Sequence, residues 1–365
     1  MIPVTILTGI LALYLLKVAL FLLGSKRASK PQRSVATPSV SVILAARNEE
    51  ANIHRCLRSL SALVYEGDLE ILIVNDQSTD ATPVIMTEWA AKDSRIRMIS
   101  TEGQVHGLKG KTNAIAQAIE RSTGEIILTT DADCEVPRDW VQRTVEQYDA
   151  HTGCVCGFTM ITTDGWFSGM QSLDWAYLLT VASAGVGWNR ALSAVGNNMS
   201  YRRAVYDEVG GYQGVGFSVT EDFALLMAIA YKTSWKVRYA AEPSTLVWSA
   251  PCPNVQDLYR QKKRWGNGGL DSPLTGFIVM SVGFLMNLAL LLLPLFGLPL
   301  WAWFAGFAGK CMGDAVLLAW PLSRFRRMDL FRYFLHFELY YIVYVTALPF
   351  VVLLGGKVVW KDRKL

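Results

Sequence analysis

The sequence predicts an α/β domain with a mostly parallel sheet, joined to apolar helices of membrane length. Three observations predict it. Between Ser34 and Pro273, short apolar runs alternate with amphipathic ones, the pattern of parallel strands covered by helices on both faces. Val4 to Leu23 has Lys17 as its only charge and Leu274 to Leu300 has none, and each exceeds the roughly 20 residues that cross a hydrocarbon core. The composition agrees, with 52% hydrophobic residues and a mean hydropathy of +0.25 over 365 residues.

The first apolar run reads as a span rather than a signal peptide, because no basic residue precedes it and no small-residue cleavage site follows. The next stretch, SKRASKPQRS, holds Lys26, Arg27, Lys30 and Arg33 and no acid. The positive-inside rule therefore puts the N-terminus outside and the following domain in the cytoplasm. Such membrane-flanking clusters account for the net charge of +4, so no nucleic-acid partner is expected. The six cysteines lack metal spacing, and Cys154 and Cys156 are too close for a CxxC site, so reduced core thiols are expected.

Within the domain, strands are expected at Val40–Ala45, Leu69–Asn75, Arg95–Ser100 and Glu125–Thr130, with helices at Glu49–Ala62, Thr82–Lys92 and Thr112–Ser122. The second half is mixed. Trp166–Val186 is apolar, Trp-rich and interrupted by Asp174, which suggests a helix lying on the bilayer. Helices follow at Val205–Gly211 and Glu221–Tyr231, and short strands at Trp235–Tyr239 and Thr245–Trp248. Trp301–Trp320 is long enough to span but holds Lys310 and Asp314, spaced i, i+4 so that they can pair. Leu339–Leu354 is flanked by basic residues on both sides, so one of these two segments is re-entrant or interfacial. The expected organisation is a span at 1–24, a basic linker at 25–38, the α/β domain at 39–250 and an interfacial helix at 251–273. Apolar helices at 274–356 and a basic tail at 357–365 complete it.

Parallel sheets bind ligands at the carboxyl ends of their strands, so chemistry is sought there. The first strand runs into AARNEE without GxGxxG, which disfavours a dinucleotide-binding oxidoreductase. The second delivers Asp76, able to accept from a base N–H or a ribose hydroxyl, while Asp80 suits a helix cap. The fourth delivers Asp131-Ala132-Asp133. In extended backbone, residues i and i+2 share a side, and two such carboxylates suit Mg2+ or Mn2+ bridging a diphosphate. Lys109 and Lys111 precede a helix, where an ammonium and free N–H groups can meet phosphate or simply stay solvated. Glu221 and Asp222 open a helix, either as dipole compensation or as a general base for an acceptor hydroxyl. In QKKRW, Gln261, Arg264 and Trp265 share one helical face. Arg260, Lys262 and Lys263 are left to serve the membrane surface.

Taken in order, ILIVNDQSTD, DAD, TED and QKKRW resemble glycosyltransferase family 2, in its membrane-embedded branch. Cellulose, chitin and hyaluronan synthases and ceramide glucosyltransferase share that D, DxD, (T)ED, QxxRW pattern, and the resemblance covers Val40 to Gly269. It implies a Rossmann-like GT-A fold and an inverting transfer from a nucleotide sugar, UDP-linked by family habit, to a lipid or lipid-linked acceptor. Asp76, Ala46 and Glu49 would hold the nucleotide. Asp131 and Asp133 would hold the diphosphate and its Mn2+ or Mg2+, with Lys111 nearby. Asp222 would be the catalytic base, with Glu221 beside it. Gln261, Arg264 and Trp265 would close over donor and acceptor, and Asn198, in the loop GNNMSYRR, would join Trp265 as an acceptor contact. Processive synthases of the branch carry more membrane helices after QxxRW than remain here, which favours a single transfer over polymer extrusion. A processive synthase is the first alternative, a non-catalytic membrane scaffold the second and a transporter built on the C-terminal helices the third.

Overall fold

The computed structural model describes residues 1–30, 33–216, 218–354, 359–360 and 363–364. Lys357 and Lys361 of the expected basic tail lie outside them. In chain order the elements are α1 (Ile2–Ala28), β1 (Val40–Ala46), α2 (Ile53–Ser61), β2 (Leu69–Asn75), α3 (Thr82–Lys92) and β3 (Ile96–Ser100). Next come α4 (Gly110–Glu120), β4 (Ile126–Asp131), β5 (Cys134–Glu135), α5 (Trp140–Val145), β6 (Thr152–Gly157), β7 (Thr159–Ile161) and α6 (Trp166–Gly187). Then follow β8 (Met199–Arg202), α7 (Arg203–Glu208), α8 (Gly211–Val215), α9 (Glu221–Lys232), β9 (Lys236–Ala240) and β10 (Val247–Ser249). The last are α10 (Val255–Gly268), α11 (Leu274–Leu292), α12 (Leu300–Arg324) and α13 (Phe334–Leu354). These form two units, an α/β unit of Ser29–Met160 with Ser193–Ala250, and a helical unit of Met1–Ala28, Ile161–Leu192 and Pro251–Leu365.

The α/β unit is built on a seven-stranded sheet of order β3-β2-β1-β4-β8-β6-β9. The expected strands are its parallel half: β1 pairs with β2 and β4, and β2 with β3, all parallel. Their apolar runs are buried on both faces, with Val42, Leu44, Ile71, Ile73, Ile126 and Leu128 in one core, as strands sandwiched between helix layers must be. The register sets Ala46 opposite Asn75 and Ala45 opposite Asp131, so the carboxyl ends of β1, β2 and β4 finish side by side. Helix α2 starts at Ile53 rather than Glu49, because the chain before it is tied to the loop after β2. The Glu49 N–H donates to Thr82 Oγ1 (2.8 Å) and the Glu50 N–H to Asp80 Oδ2 (3.1 Å).

Two strands of this seven-stranded sheet are not apparent from the sequence. β8 runs antiparallel to both β4 and β6 and carries the sheet past β4. β6 reads TGCVCG, whose glycines and cysteines resemble a loop more than a strand. Gly157 is needed there because the Asn198 side chain occupies the space its Cβ would fill.

In the helical unit α6 differs from expectation. Instead of lying on a bilayer, it is buried along most of its length and packs against α1, α12 and α13. Its small residues allow the close approach. Ser25 Oγ of α1 donates to the Thr180 carbonyl (2.9 Å), Ser183 Oγ donates to Ser25 Oγ (2.9 Å), and Trp188 Nε1 donates to the Leu20 carbonyl (2.8 Å). The stretch 161–192, expected inside the α/β domain, therefore folds with the helices.

Among the described residues three helices are long and apolar enough to cross a membrane, Ile2–Ala28, Leu274–Phe296 and Met328–Leu354. Helix α12 carries the expected Lys310–Asp314 pair at 2.9 Å, and Glu338 of α13 joins it, all three residues with no solvent exposure. Tyr14 of α1 donates to Asp314 (2.6 Å), so three helices share this buried polar knot.

Candidate active site

The carboxyl ends of β1, β2 and β4 hold Ala46, Asp76 and Asp131 side by side. Asp76 follows β2, is only 3% exposed, and its N–H donates to the Ala46 carbonyl (2.8 Å). Its own carbonyl accepts from Arg47 Nη1 at 2.9 Å. Glu49 lies just past β1 and accepts from Asn52 Nδ2 at 3.1 Å. Asp80 stands before α3, where Oδ1 accepts from the Thr82 N–H at 3.0 Å in a turn, while the N-cap position expected for it is held by Ala81.

The DxD turns rather than runs straight. β4 ends at Asp131, Ala132 and Asp133 form a turn, and β5 begins at Cys134 in the smaller sheet β5-β10-β7. Strand alternation thus does not place the two carboxylates. The two carboxylates still influence one another, two residues apart across the turn. Burial, then Asp131, then Glu49 push the Asp133 carboxyl up to about 6. Ser249 Oγ donates to Asp133 Oδ2 at 3.3 Å, and Arg55 Nη2 donates to the Asp133 carbonyl at 2.9 Å.

Lys111, in the first turn of α4, joins the two acidic motifs. Its ammonium lies 2.6 Å from Asp131 Oδ1 and 3.1 Å from Glu221 Oε1. Burial works against the Lys111 charge, but Asp131, Glu221 and Asp222 together hold its pKa above the ordinary lysine value. A cation between DxD and TED is therefore already part of the fold. Lys109, by contrast, precedes the helix as its N-cap residue.

Asp222 stands at the start of α9, and both carboxylate oxygens accept backbone N–H groups. Oδ2 takes the Gly196 N–H at 2.5 Å and Oδ1 that of Phe223 at 2.8 Å. Gly196 is held in turn by β4, whose Thr129 hydroxyl donates to the Gly196 carbonyl at 2.6 Å. One strand thus carries the DxD at its end and, through Thr129, tethers the loop that grips Asp222. Nothing in the local pattern points to that tether, since a mid-strand threonine reads only as a good strand former.

Asn198 is not an acceptor contact. It is 4% exposed, Nδ2 donates to the carbonyls of Phe158 (2.7 Å) and Thr245 (2.9 Å), and Oδ1 accepts from Trp140 Nε1 (3.0 Å). Every polar atom of its side chain serves the fold. Asn198→Ala should lower stability by about 3 kcal/mol, since three buried groups lose their partner. Thermal melting checks this, and an acceptor KM that rose with unchanged melting would return Asn198 to the site.

The QKKRW segment lies in α10 of the helical unit, where Gln261, Arg264 and Trp265 keep the expected i, i+3, i+4 spacing on a helix. Gln261 Oε1 is buried and accepts no hydrogen bond among the described residues. Lys262 contradicts the expected division of labour. It is 5% exposed and ion-paired with the buried Asp174 of α6, so it cannot serve a membrane surface. Its ammonium also lies over the Trp265 ring, 4.2 Å from the centroid. Arg260 is exposed and pairs with Asp257 (3.1 Å), as a surface residue would.

A mostly parallel sheet whose strand ends gather Asp76, Asp131, Lys111, Glu221 and Asp222 defines the class: this is a GT-A, Rossmann-like fold. The chain belongs to glycosyl transferase family group 2, whose profile matches residues 126–354, and the profile of glycosyl transferase family 2 matches residues 41–210. Among curated proteins it is similar to a beta-monoglucosyldiacylglycerol synthase of Nostoc sp., 30% identical over 241 residues that make up 64% of this chain and 49% of that one. A poly-beta-1,6-N-acetyl-D-glucosamine synthase of Staphylococcus epidermidis is 24% identical over 242 residues, 65% of this chain and 56% of that one. The chain thus spans about half the length of the curated relatives it matches. Among solved structures, a mannosyltransferase from Pyrobaculum calidifontis in complex with GDP-Man and Mn2+ shares the fold. Its TM-score is 0.62 at 18% identity, over 97% of this chain and 100% of that one.

Proposed function

We propose that the protein is a membrane-bound inverting glycosyltransferase. It takes a sugar from a nucleotide sugar, UDP-linked, and passes it to a hydroxyl of a lipid or lipid-linked acceptor. The observation that carries this reading is the gathering of Asp131, Glu221 and Asp222 around Lys111 at the carboxyl end of the sheet, in a chain of this family. Asp76, Ala46 and Glu49 bind the nucleoside. Lys111 meets the diphosphate, and Gln261, Arg264 and Trp265 act on donor and acceptor. Asp222 takes the acceptor's proton; the freed oxygen bonds to the anomeric carbon from the face opposite the diphosphate. The carbon–phosphate-oxygen bond breaks and the nucleoside diphosphate leaves with the electron pair.

The donor set fits a hard divalent cation. Asp133, pushed up to about 6 by burial and by Asp131 and Glu49, is a carboxyl whose ionisation a cation would favour. Asp133 and Asp131 would hold Mn2+ or Mg2+, which when bound supplies positive charge against the departing diphosphate. Nucleic acid has no place in this reading. The three membrane-length helices would anchor the protein as a multi-pass chain, with its α/β unit on the cytoplasmic side by the basic residues that follow the first helix.

Diacylglycerol is the first acceptor to try, given the name of the Nostoc relative. The processive alternative has its own support in the Staphylococcus relative. A screen of nucleotide sugars with Mn2+ or Mg2+, with and without lipid extract, should give nucleoside diphosphate release that depends on one donor and rises with lipid. Mass spectrometry should find a single added sugar, and a ladder of lengths would select the polymerising reading. Release no higher than that of an Asp222→Asn control for every donor would end the proposal.

A further inference from the structure

We infer that Lys262 and Asp174 form a buried orienting pair that fixes α10, and with it Trp265, in its working rotation. Asp174 is the only charged residue of helix α6 and is 3% exposed. An isolated carboxylate in such a place is costly, and the structure answers it with the Lys262 ammonium. Tyr340 of α13 donates to the same Asp174 oxygen at 3.4 Å. The ammonium lies over the rings of Trp265, at 4.2 Å, and Tyr344, at 5.1 Å. Trp175, next to Asp174, meets Trp265 edge-on at 5.2 Å between centroids. A Cβ on Gly266 would press on Leu348 and Val352 of α13, so α10 and α13 approach closely at this point. Three helices of one unit therefore converge on the residues between Gln261 and Gly266.

A pair of this kind is a poor source of stability, since well-packed apolar groups of the same volume do as well. What it supplies is direction. Lys262 is three residues before Trp265, so its ammonium reaches one helical turn along α10 to lie over the indole face. Any rotation of α10 breaks the contact with Asp174 and the cation–ring contact together. Lys262 is thus a positioning residue, acting through Trp265 and its neighbours Gln261 and Arg264. Its consequence for turnover rests on the proposed function; its consequence for the helix does not.

The test uses the full chain in lipid nanodiscs. In Lys262→Met with Asp174→Asn both charges go while the shape is kept, so no lone charge stays buried. This double variant should melt like the wild type. Amide hydrogen exchange across Val255–Gly268 should quicken by about tenfold, with β1, β2 and β4 unchanged. Its kcat should fall by about tenfold with donor KM within about twofold of wild type. Unchanged exchange in α10 overturns the pair as an orienting device. Faster exchange with unchanged kcat overturns its part in turnover. Should the double variant not fold, Asp174→Glu keeps the charge and moves the carboxylate by one methylene. It should then show the same exchange and kcat changes on a smaller scale, and wild-type values in both overturn the inference. A wild-type protein that transfers no sugar would defeat the proposed function instead, and the exchange rates would still decide on the pair.

Discussion

Asp222→Asn is expected to leave the protein folded and to cut sugar transfer by roughly a hundredfold to ten-thousandfold, the range a positioned general base contributes. The substitution changes charge with little change of shape. The wild-type carboxylate accepts N–H groups from Gly196 and Phe223, one on each oxygen. Asparagine retains one acceptor oxygen and turns its NH2 toward the other donor, so melting should drop by a few degrees, for a cost of about 1–3 kcal/mol. Donor binding separates the two roles Asp222 could play. As a base it touches the acceptor hydroxyl, so the donor dissociation constant stays near wild type while kcat collapses. As a mere anchor for the Gly196 loop, its loss would weaken donor binding and turnover together. Wild-type turnover in the purified variant would remove Asp222 from the reaction altogether.

The parallel half of the sheet was legible because its strands are continuous apolar runs, a pattern few other elements share. β6 and β8 were not, since TGCVCG and MSYR owe their strand state to pairing with each other and with β4. Asp76, Asp131, Lys111, Glu221 and Asp222 are legible as candidates because charged residues at strand ends and helix starts stand out from an apolar pattern. What the sequence hid is how they are joined. Lys111 bridging Asp131 to Glu221 is a contact between α4, β4 and α9, and no local spacing encodes it. The error at Asn198 came from reading a polar residue in a loop as exposed, when Trp140, Phe158 and Thr245 use all of it. The role of Lys262 does have a signal in the sequence: Asp174 is the lone charge of a long, largely apolar helix and requires a cation. A Lys262 at the membrane surface would leave that acid without one.

Asp133→Ala should abolish detectable transfer while leaving the metal-free protein as stable as the wild type or more so. The two halves of that expectation have one cause. In the metal-free protein Asp133 takes up its proton at about 6, raised by burial, Asp131 and Glu49. A carboxyl with a folded pKa above its ordinary value near 3.9 favours the fold when protonated, below about pH 4, and that contribution is lost as pH rises through about 6. At neutral pH the alanine variant removes an unfavourable charge. It gives up only weak contacts from Ser249 Oγ (3.3 Å) and Cys134 Sγ (3.4 Å). Function moves the other way, because the same crowded carboxylate is what a divalent ion needs. Calorimetric titration of the nucleoside diphosphate with Mn2+ should lose roughly a hundredfold or more in affinity in the variant. In the wild type, Mn2+ affinity should fall as pH drops through about 6, as protonation removes a ligand. A variant that binds nucleotide and Mn2+ normally would detach Asp133 from the ion, and one that melts well below wild type would make it a structural residue instead.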